Sequence, residues 1–202
     1  MGFSIKFQPL NNTTMYHQYR STFFCALVLA LAISFNTSAQ TKTFEARNAL
    51  YVEFGGNSGR YAINYSRIIH QKEMLKLNVS AGFSMWNDKI DYQSINNTKW
   101  LPVVPLEFSA FWGKSKHHFE LGTGITSYLE RSFEIDFETN EVSDKVVYSA
   151  IIPLRVGYRY QKPEGGFFYR VAYTPFVNLP VGGREDWVFS PIFAALSIGK
   201  SF

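Results

Sequence analysis

The chain has 202 residues, of which 46% are hydrophobic, 17% aromatic and only 18% charged, a size and composition that favour one folded domain rather than two. Its formal net charge is +4, but two of the 20 basic residues and none of the 16 acidic ones lie in the first 39 positions. The rest of the chain carries 18 basic and 16 acidic residues, and this net charge of +2 indicates no nucleic-acid-binding surface.

The first 39 residues have the pattern of a secretory signal peptide. Lys6 and Arg20 give a positive start without acidic residues, residues 22–33 form an apolar run, and residues 37–39 are a small-residue cleavage site. The apolar run holds roughly a dozen residues, whereas a transmembrane helix needs about 20. Cys25, the only cysteine, lies early in this run. We therefore expect cleavage of residues 1–39, no lipid anchor, and a mature chain without disulfides or cysteine-bound metal.

A polar segment at residues 40–48 precedes eight stretches in which apolar side chains alternate with small or polar ones. This period of two predicts β-strands. It is clearest in the third stretch, where Leu75, Leu77 and Val79 face one side. The predicted strands cover residues 49–55, 60–69, 74–86, 100–113, 117–131, 145–161, 167–178 and 187–202.

The connections alternate in length. The second, fourth and sixth are turns of about four or five residues, whereas residues 87–99, 132–144 and 179–186 form longer polar links, and the first turn, at residues 55–59, is short. Transmembrane barrels have short periplasmic turns, longer outer loops and an even number of strands. We therefore predict an eight-stranded antiparallel up-and-down transmembrane β-barrel at residues 49–202, with residues 40–48 as a periplasmic segment.

The two faces of the strands decide between a membrane barrel and a soluble, lipocalin-like one. One face is rich in small residues such as Gly122, Gly124 and Ser149, and the other in large apolar ones such as Phe108 and Val171. A soluble barrel would carry charge on its outer face, and small residues fit the crowded inside of a narrow cylinder. We therefore expect the large apolar side chains to face lipid.

Two regions resemble a known family. Residues 153–161 (PLRVGYRYQ) and 165–176 (GGFFYRVAYTPF) are similar to the penultimate hairpin of small bacterial outer-membrane β-barrel proteins. The last strand, which ends at Phe202, resembles the terminal strand of such barrels. The resemblance implies an OmpA/OmpX-like architecture in the outer membrane and a role for Phe202 as the signal read by the barrel-assembly machinery. It implies no particular activity.

Three prolines fall inside predicted strands, namely Pro102, Pro105 and Pro153. Each removes a hydrogen-bond donor from a ladder, and a closed barrel has no free edge to accommodate that loss. We therefore expect β-bulges, an irregular outer rim of the barrel and a regular periplasmic half.

Six charged side chains fall on the inward register. They are Glu53, Glu107, Glu120, Arg155, Arg159 and Arg170. Folding the sixth and seventh strands about their turn places Arg159 opposite Arg170, a like-charge pair that needs nearby acids, for which Glu107 and Glu120 are candidates. The favoured interpretation is a salt-bridged network that fills the lumen. The alternative is the charged constriction of a narrow pore.

Other candidate sites are weak. His70, His117 and His118 lie in or beside periplasmic turns, without carboxylates at ligand spacing, so we interpret them as solvated and expect no metal. The outer links lack the paired histidine and serine of a lipid hydrolase, so we expect neither an enzyme nor a cofactor. Residues 132–144 are acidic, and we expect this link either to be solvated or to bind an extracellular partner or divalent cations.

The sequence thus favours a monomeric barrel of the bacterial outer membrane with a filled or narrow lumen and a structural or surface-binding role. Its partners would be outer-membrane lipid, the assembly machinery and possible ligands of the outer loops. A small-solute channel is the first alternative, and a soluble periplasmic lipocalin-like binder is the second.

Overall fold

The computed structural model describes residues 43–92, 95–136 and 141–202, without the side chains of residues 90–97 and 133–143. The predicted signal peptide lies outside these residues. The strands are β1 (Asn48–Gly55), β2 (Tyr61–Lys72), β3 (Leu75–Tyr92), β4 (Ile95–Trp112), β5 (His117–Asp136), β6 (Glu141–Gln161), β7 (Gly166–Tyr173), β8 (Phe176–Asn178), β9 (Val188–Ser190) and β10 (Ala194–Ser201). A 3-10 turn, Gly56–Ser58, joins β1 to β2. No helix in the described residues is long and apolar enough to cross a membrane.

The strands close into an antiparallel barrel. β1 to β6 pair in chain order, β6 pairs with β7, β7 with β10, and β10 with β1. β8 continues β7 along β6, and β9 pairs with β8. β7 and β8 together thus form the seventh strand of the barrel, and β9 and β10 form the eighth. The structure is an eight-stranded up-and-down barrel, which confirms the predicted fold class.

The alternation of side chains sets the inside and the outside of the barrel. On β1, Tyr51 and Glu53 are buried, whereas Leu50 and Phe54 are more than half exposed. The same alternation continues around the barrel. The lumen is therefore lined by polar and charged groups and the exterior by apolar ones, the reverse of a soluble protein.

Two hairpins rise above the closed part of the barrel. β3 and β4 are 18 residues long each, and β5 and β6 are 20 and 21. The ladder between β4 and β5 ends at the pair Val103 and Tyr128. Beyond that pair the two hairpins are separate ribbons, so the links predicted at residues 87–99 and 132–144 are largely extensions of strands.

Pro105 and Pro153 interrupt ladders without shifting the register, and Pro102 interrupts none, so the predicted bulges at these positions are wrong. The ladder between β3 and β4 omits the pairs of Pro105 and Val104 and resumes in the same register, while Pro105 still pairs with Thr126 on β5. A gap in the ladder between β5 and β6 lies beside Pro153, which still pairs with Phe176. A strand residue donates its N–H to one neighbouring strand, so the missing donor disturbs one ladder only.

Two further details correct the prediction that the outer rim is irregular and the periplasmic half regular. Pro102 pairs with Met85 in a continuous ladder, and the ladder on its other side ends at Val103. The ladder between β2 and β3 shifts by one residue at Ile69, close to the periplasmic turn. The periplasmic half is therefore not fully regular.

Candidate functional site

The six inward charges come together in the middle of the lumen. Glu53 lies on β1, Glu107 on β4 and Glu120 on β5, and the arginines lie on β6 and β7. Each residue occupies an inward register position, and each is at most 6% exposed. Strands on both sides of the seam where β1 pairs with β10 therefore contribute charged side chains to one buried cluster, here called the lumen network.

Arg170 is the centre of the lumen network. Its guanidinium group lies 2.7 Å from Glu53, 2.8 Å from Glu107 and 3.3 Å from Glu120. It also donates to the hydroxyl groups of Tyr51, at 3.0 Å, and Ser197, at 3.3 Å. The planar fork of an arginine can make this many hydrogen bonds, which a lysine cannot.

The other two arginines extend the network in opposite directions. Arg155 bridges Glu53 and Glu107, each at 2.8 Å. Arg159 pairs with Glu120 at 3.0 Å and donates to the side-chain oxygen of Gln161. Its guanidinium group also lies 4.2 Å from the ring centroid of Phe111, a cation–π contact that stabilises a buried cation.

The network is neutral, because three carboxylates face three guanidinium groups. The strand ladder pairs Arg159 directly with Arg170, and this like-charge contact is compensated because both donate to Glu120. Buried charges are tolerated when they are paired and hydrogen-bonded. The arrangement can hold the barrel walls together electrostatically and fill the lumen.

The first outer turn closes the lumen above the network. The backbone N–H of Ser58 and its hydroxyl group donate to Glu53, at 3.3 and 3.2 Å. Asn57 donates to the carbonyl of Leu106 at 3.1 Å and accepts a hydrogen bond from Thr126 at 2.7 Å. The turn is buried and folds into the barrel instead of projecting from it, a feature that the sequence analysis missed.

The N-terminal segment closes the opposite end. Phe44 is fully buried, with its ring centroid 6.1 Å from that of Phe111 and 5.4 Å from that of His118. The backbone of Ala46 donates to Pro163 at 3.0 Å and accepts from Gln161 at 3.1 Å. The described part of the predicted periplasmic segment therefore packs against and into the barrel. The alternation of Phe44 and Ala46 with charged residues is the signal that could have revealed this packing.

The interpretation of the histidines as solvated is wrong for His118. Its side chain is 2% exposed, points into the barrel, and lies 3.2 Å from the carbonyl of Gln161. His117 is exposed and contacts Tyr158 on the outer surface. Adjacent residues of a strand face opposite sides, so one of the two had to face the lumen. Among the described residues, no three potential ligands are placed to hold a metal ion.

An ion pair cluster joins the two projecting hairpins. Asp144 on β6 lies 2.6 Å from both Lys99 on β4 and Arg131 on β5. Hydrogen bonds from Arg131 and Lys99 hold the pKa of Asp144 well below its usual value. The other acidic side chains between residues 133 and 143 lie outside the described side chains, so binding of a cation or partner there stays a prediction.

The terminal residue, Phe202, lies at the closing seam. Its backbone exchanges two hydrogen bonds of 2.9 Å with Asn48 at the start of β1. Its side chain is 55% exposed on the outer surface of the barrel.

No protein-family model and no curated protein matches the sequence. Among solved structures, the N-terminal β-barrel domain of Pseudomonas aeruginosa OprF is similar, with a TM-score of 0.42 and 12% sequence identity, covering 77% of this chain and 96% of that chain. The closed ladder of this chain's own strands establishes its eight-stranded barrel.

Proposed function

We propose that the chain is an integral protein of a bacterial outer membrane, exported by a cleaved signal peptide, with a structural or surface-binding role and a lumen closed to solutes. The observation that carries this proposal is the pairing of an apolar exterior with a buried, neutral lumen network.

The exterior supports the membrane location. Large apolar side chains are exposed on every side of the closed barrel, including Ile63 at 61%, Phe83 at 55%, Leu154 at 47% and Val171 at 51%. In water such a continuous apolar surface is an aggregation hazard. In a bilayer it is the surface that a membrane barrel requires.

The aromatic residues at the periplasmic end add support. Tyr158, Tyr160, Phe167 and Tyr169 form a continuous cluster on the outer surface, in which Tyr160 and Tyr169 stack at 5.0 Å. Aromatic side chains with polar tips favour the interface between lipid and water. The cluster fits a girdle at the inner boundary of the membrane.

We assign Phe202 to assembly. An exposed aromatic side chain on a residue that closes the seam is suited to recognition by the barrel-assembly machinery before β1 and β10 pair.

The filled lumen argues against both alternatives. A conducting path would have to pass the buried first turn, the lumen network and Phe44 in succession, and the gap beside Glu107 and Arg155 is too small for a water molecule. A lipocalin-like binder needs an apolar interior, whereas the closed part of the lumen here is charged.

The proposal is tested by cell fractionation and by gel mobility in SDS with and without boiling, because closed barrels resist SDS until heated. We expect the chain in the outer-membrane fraction with a heat-dependent shift. A soluble periplasmic protein without a shift would contradict the proposal. In planar bilayers we expect no conductance steps, with a general porin as the positive control, and reproducible steps would favour the channel.

A further inference from the structure

The outer end of the lumen differs from the rest, because it is open and lined by aromatic side chains. A cavity of about 490 Å³ lies above the first turn, with Gly55 and Gly59 among its lining residues. A second cavity of about 230 Å³ shares Arg60, Trp86 and Tyr128 with the first. These two neighbouring spaces are called the outer cup. The volume of the first cavity alone is in the range of pockets for small molecules, which is about 300–1,000 Å³.

Two ring pairs form the walls of the outer cup. Trp86 and Tyr128 contact each other with ring centroids 5.3 Å apart, and Phe176 and Phe193 meet edge to face, also at 5.3 Å. All four side chains line the first cavity. Rings held in this way present flat apolar surfaces at low cost in conformational entropy, which suits a planar, apolar ligand.

Arg60 supplies a charge at the wall that both cavities share. Its guanidinium group lies 5.3 Å from the ring centroid of Trp86 and donates one hydrogen bond of 2.8 Å to the carbonyl of Asn87. In the described part of the chain, Arg60 forms no ion pair, whereas Arg184 at the same mouth is paired with Glu130 at 3.0 Å. Asp88 and Glu130 line only the second cavity. Arg60 therefore lines the first cavity together with four aromatic rings and without an ion-pair partner in the described residues, while the two carboxylates line the other part of the cup.

We propose that the outer cup binds a small aromatic anion, such as an aromatic carboxylate. Its ring lies among Trp86, Tyr128, Phe176 and Phe193, and its acid group accepts hydrogen bonds from Arg60. The bidentate fit of guanidinium to carboxylate provides the specificity, and ring contacts provide most of the apolar burial. This binding extends the proposed surface role, but it depends on that role only for access to the ligand in the cell.

The test is equilibrium dialysis of the purified, detergent-solubilised barrel, which measures its binding of 2-naphthoate and of the neutral, isosteric 2-naphthamide. We expect saturable binding of one 2-naphthoate per barrel. Arg60→Gln should weaken the binding of 2-naphthoate about tenfold or more, because a hydrogen bond to a charged group is lost, and should change the binding of 2-naphthamide little. Arg67→Gln removes an exposed arginine from β2 outside the cup and should change neither.

The apolar part of the site is tested in the same assay. Phe193→Ala should weaken the binding of both probes, whereas Phe167→Ala, at an exposed position on the outer surface, should leave both unchanged. Each variant must retain the heat-dependent gel shift. The proposal is overturned if 2-naphthoate shows no saturable binding, or if Arg60→Gln binds it as well as Arg67→Gln does. Because the assay uses purified barrel, it can fail while the membrane location stands.

Discussion

Arg159 on β6 and Arg170 on β7 lie directly opposite each other in the barrel wall, and both donate to the same oxygen of Glu120, at 3.0 and 3.3 Å. Two adjacent buried cations would repel each other, and Glu120 is the carboxylate of the lumen network that pairs with both of them. The stability of the lumen network therefore depends strongly on this one carboxylate.

We expect Glu120→Gln to destabilise the barrel by about 3 kcal/mol, because removing one partner of a buried ion pair leaves uncompensated charge. The free energy of unfolding in urea, measured on refolded barrel in detergent or lipid, is the readout. Glu164→Gln is the matched control, because Glu164 is exposed in the turn between β6 and β7. Equal losses for the two variants would contradict the assigned role of Glu120.

Removing one positive and one negative charge together should lower the free energy of unfolding by less than the sum of the two single-variant losses. In the double variant Glu120→Gln and Arg159→Gln, two carboxylates still face two arginines, so the network stays neutral. We expect a favourable coupling energy of about 1–3 kcal/mol in the double-mutant cycle, as for other groups of one buried network. Additive losses would show that the two side chains act independently.

Most of the fold could be predicted from the alternation of apolar and polar residues along the strands. Because alternation fixes which side chains face the lumen, the eight strands, their order and the inward register of all six charges followed from the sequence. The opposition of Arg159 and Arg170 followed from the position of one turn. These are local features, since each depends on a strand or on a single hairpin.

Other features depend on contacts between distant parts of the chain and could not be read from a pattern. The burial of Asn57 requires its bonds to Leu106 and Thr126, far along the sequence. The burial of Phe44 requires a cavity shaped by β4 and β5. The outer cup likewise combines Trp86 with residues up to Phe193.

The first turn provides a steric test of the outer cup. Gly59 has φ +65°, and a Cβ atom there would collide with the ring of Trp86, whereas Gly183, with φ +93°, has open space around it. Both alanine variants strain the backbone by about 1–3 kcal/mol, but only Gly59→Ala should also displace Trp86. We expect a larger loss of stability and a change in tryptophan emission for Gly59→Ala alone. Identical behaviour of the two variants would contradict this placement of Trp86.

The N-terminal segment should contribute measurably to stability. Phe44→Ala leaves a cavity beside Phe111 and His118, and we expect a loss of about 3 kcal/mol, the lower end of the range for buried phenylalanine. Thr43→Ala, at an exposed neighbouring position, should be nearly neutral. Limited proteolysis should cleave the segment before Asn48 faster in the Phe44→Ala variant than in the Thr43→Ala variant. Unchanged unfolding and cleavage would mean that the segment does not seal the barrel.

The link between the projecting hairpins should depend on pH. Hydrogen bonds from Arg131 and Lys99 lower the pKa of Asp144 in the folded chain, so this group stabilises the fold when it is ionised. The stabilisation is fully present above the unfolded pKa of about 3.9 and is lost as the pH falls from there through the lower folded pKa.

The carbon chemical shift of the Asp144 carboxyl, followed by NMR during acid titration, measures the folded pKa directly. Lys99→Met should raise that pKa, while Lys72→Met, which removes an exposed lysine of β2 near the opposite end of the barrel, should not. A folded pKa at or above about 3.9 would show that the ion pairs do not hold the two hairpins together.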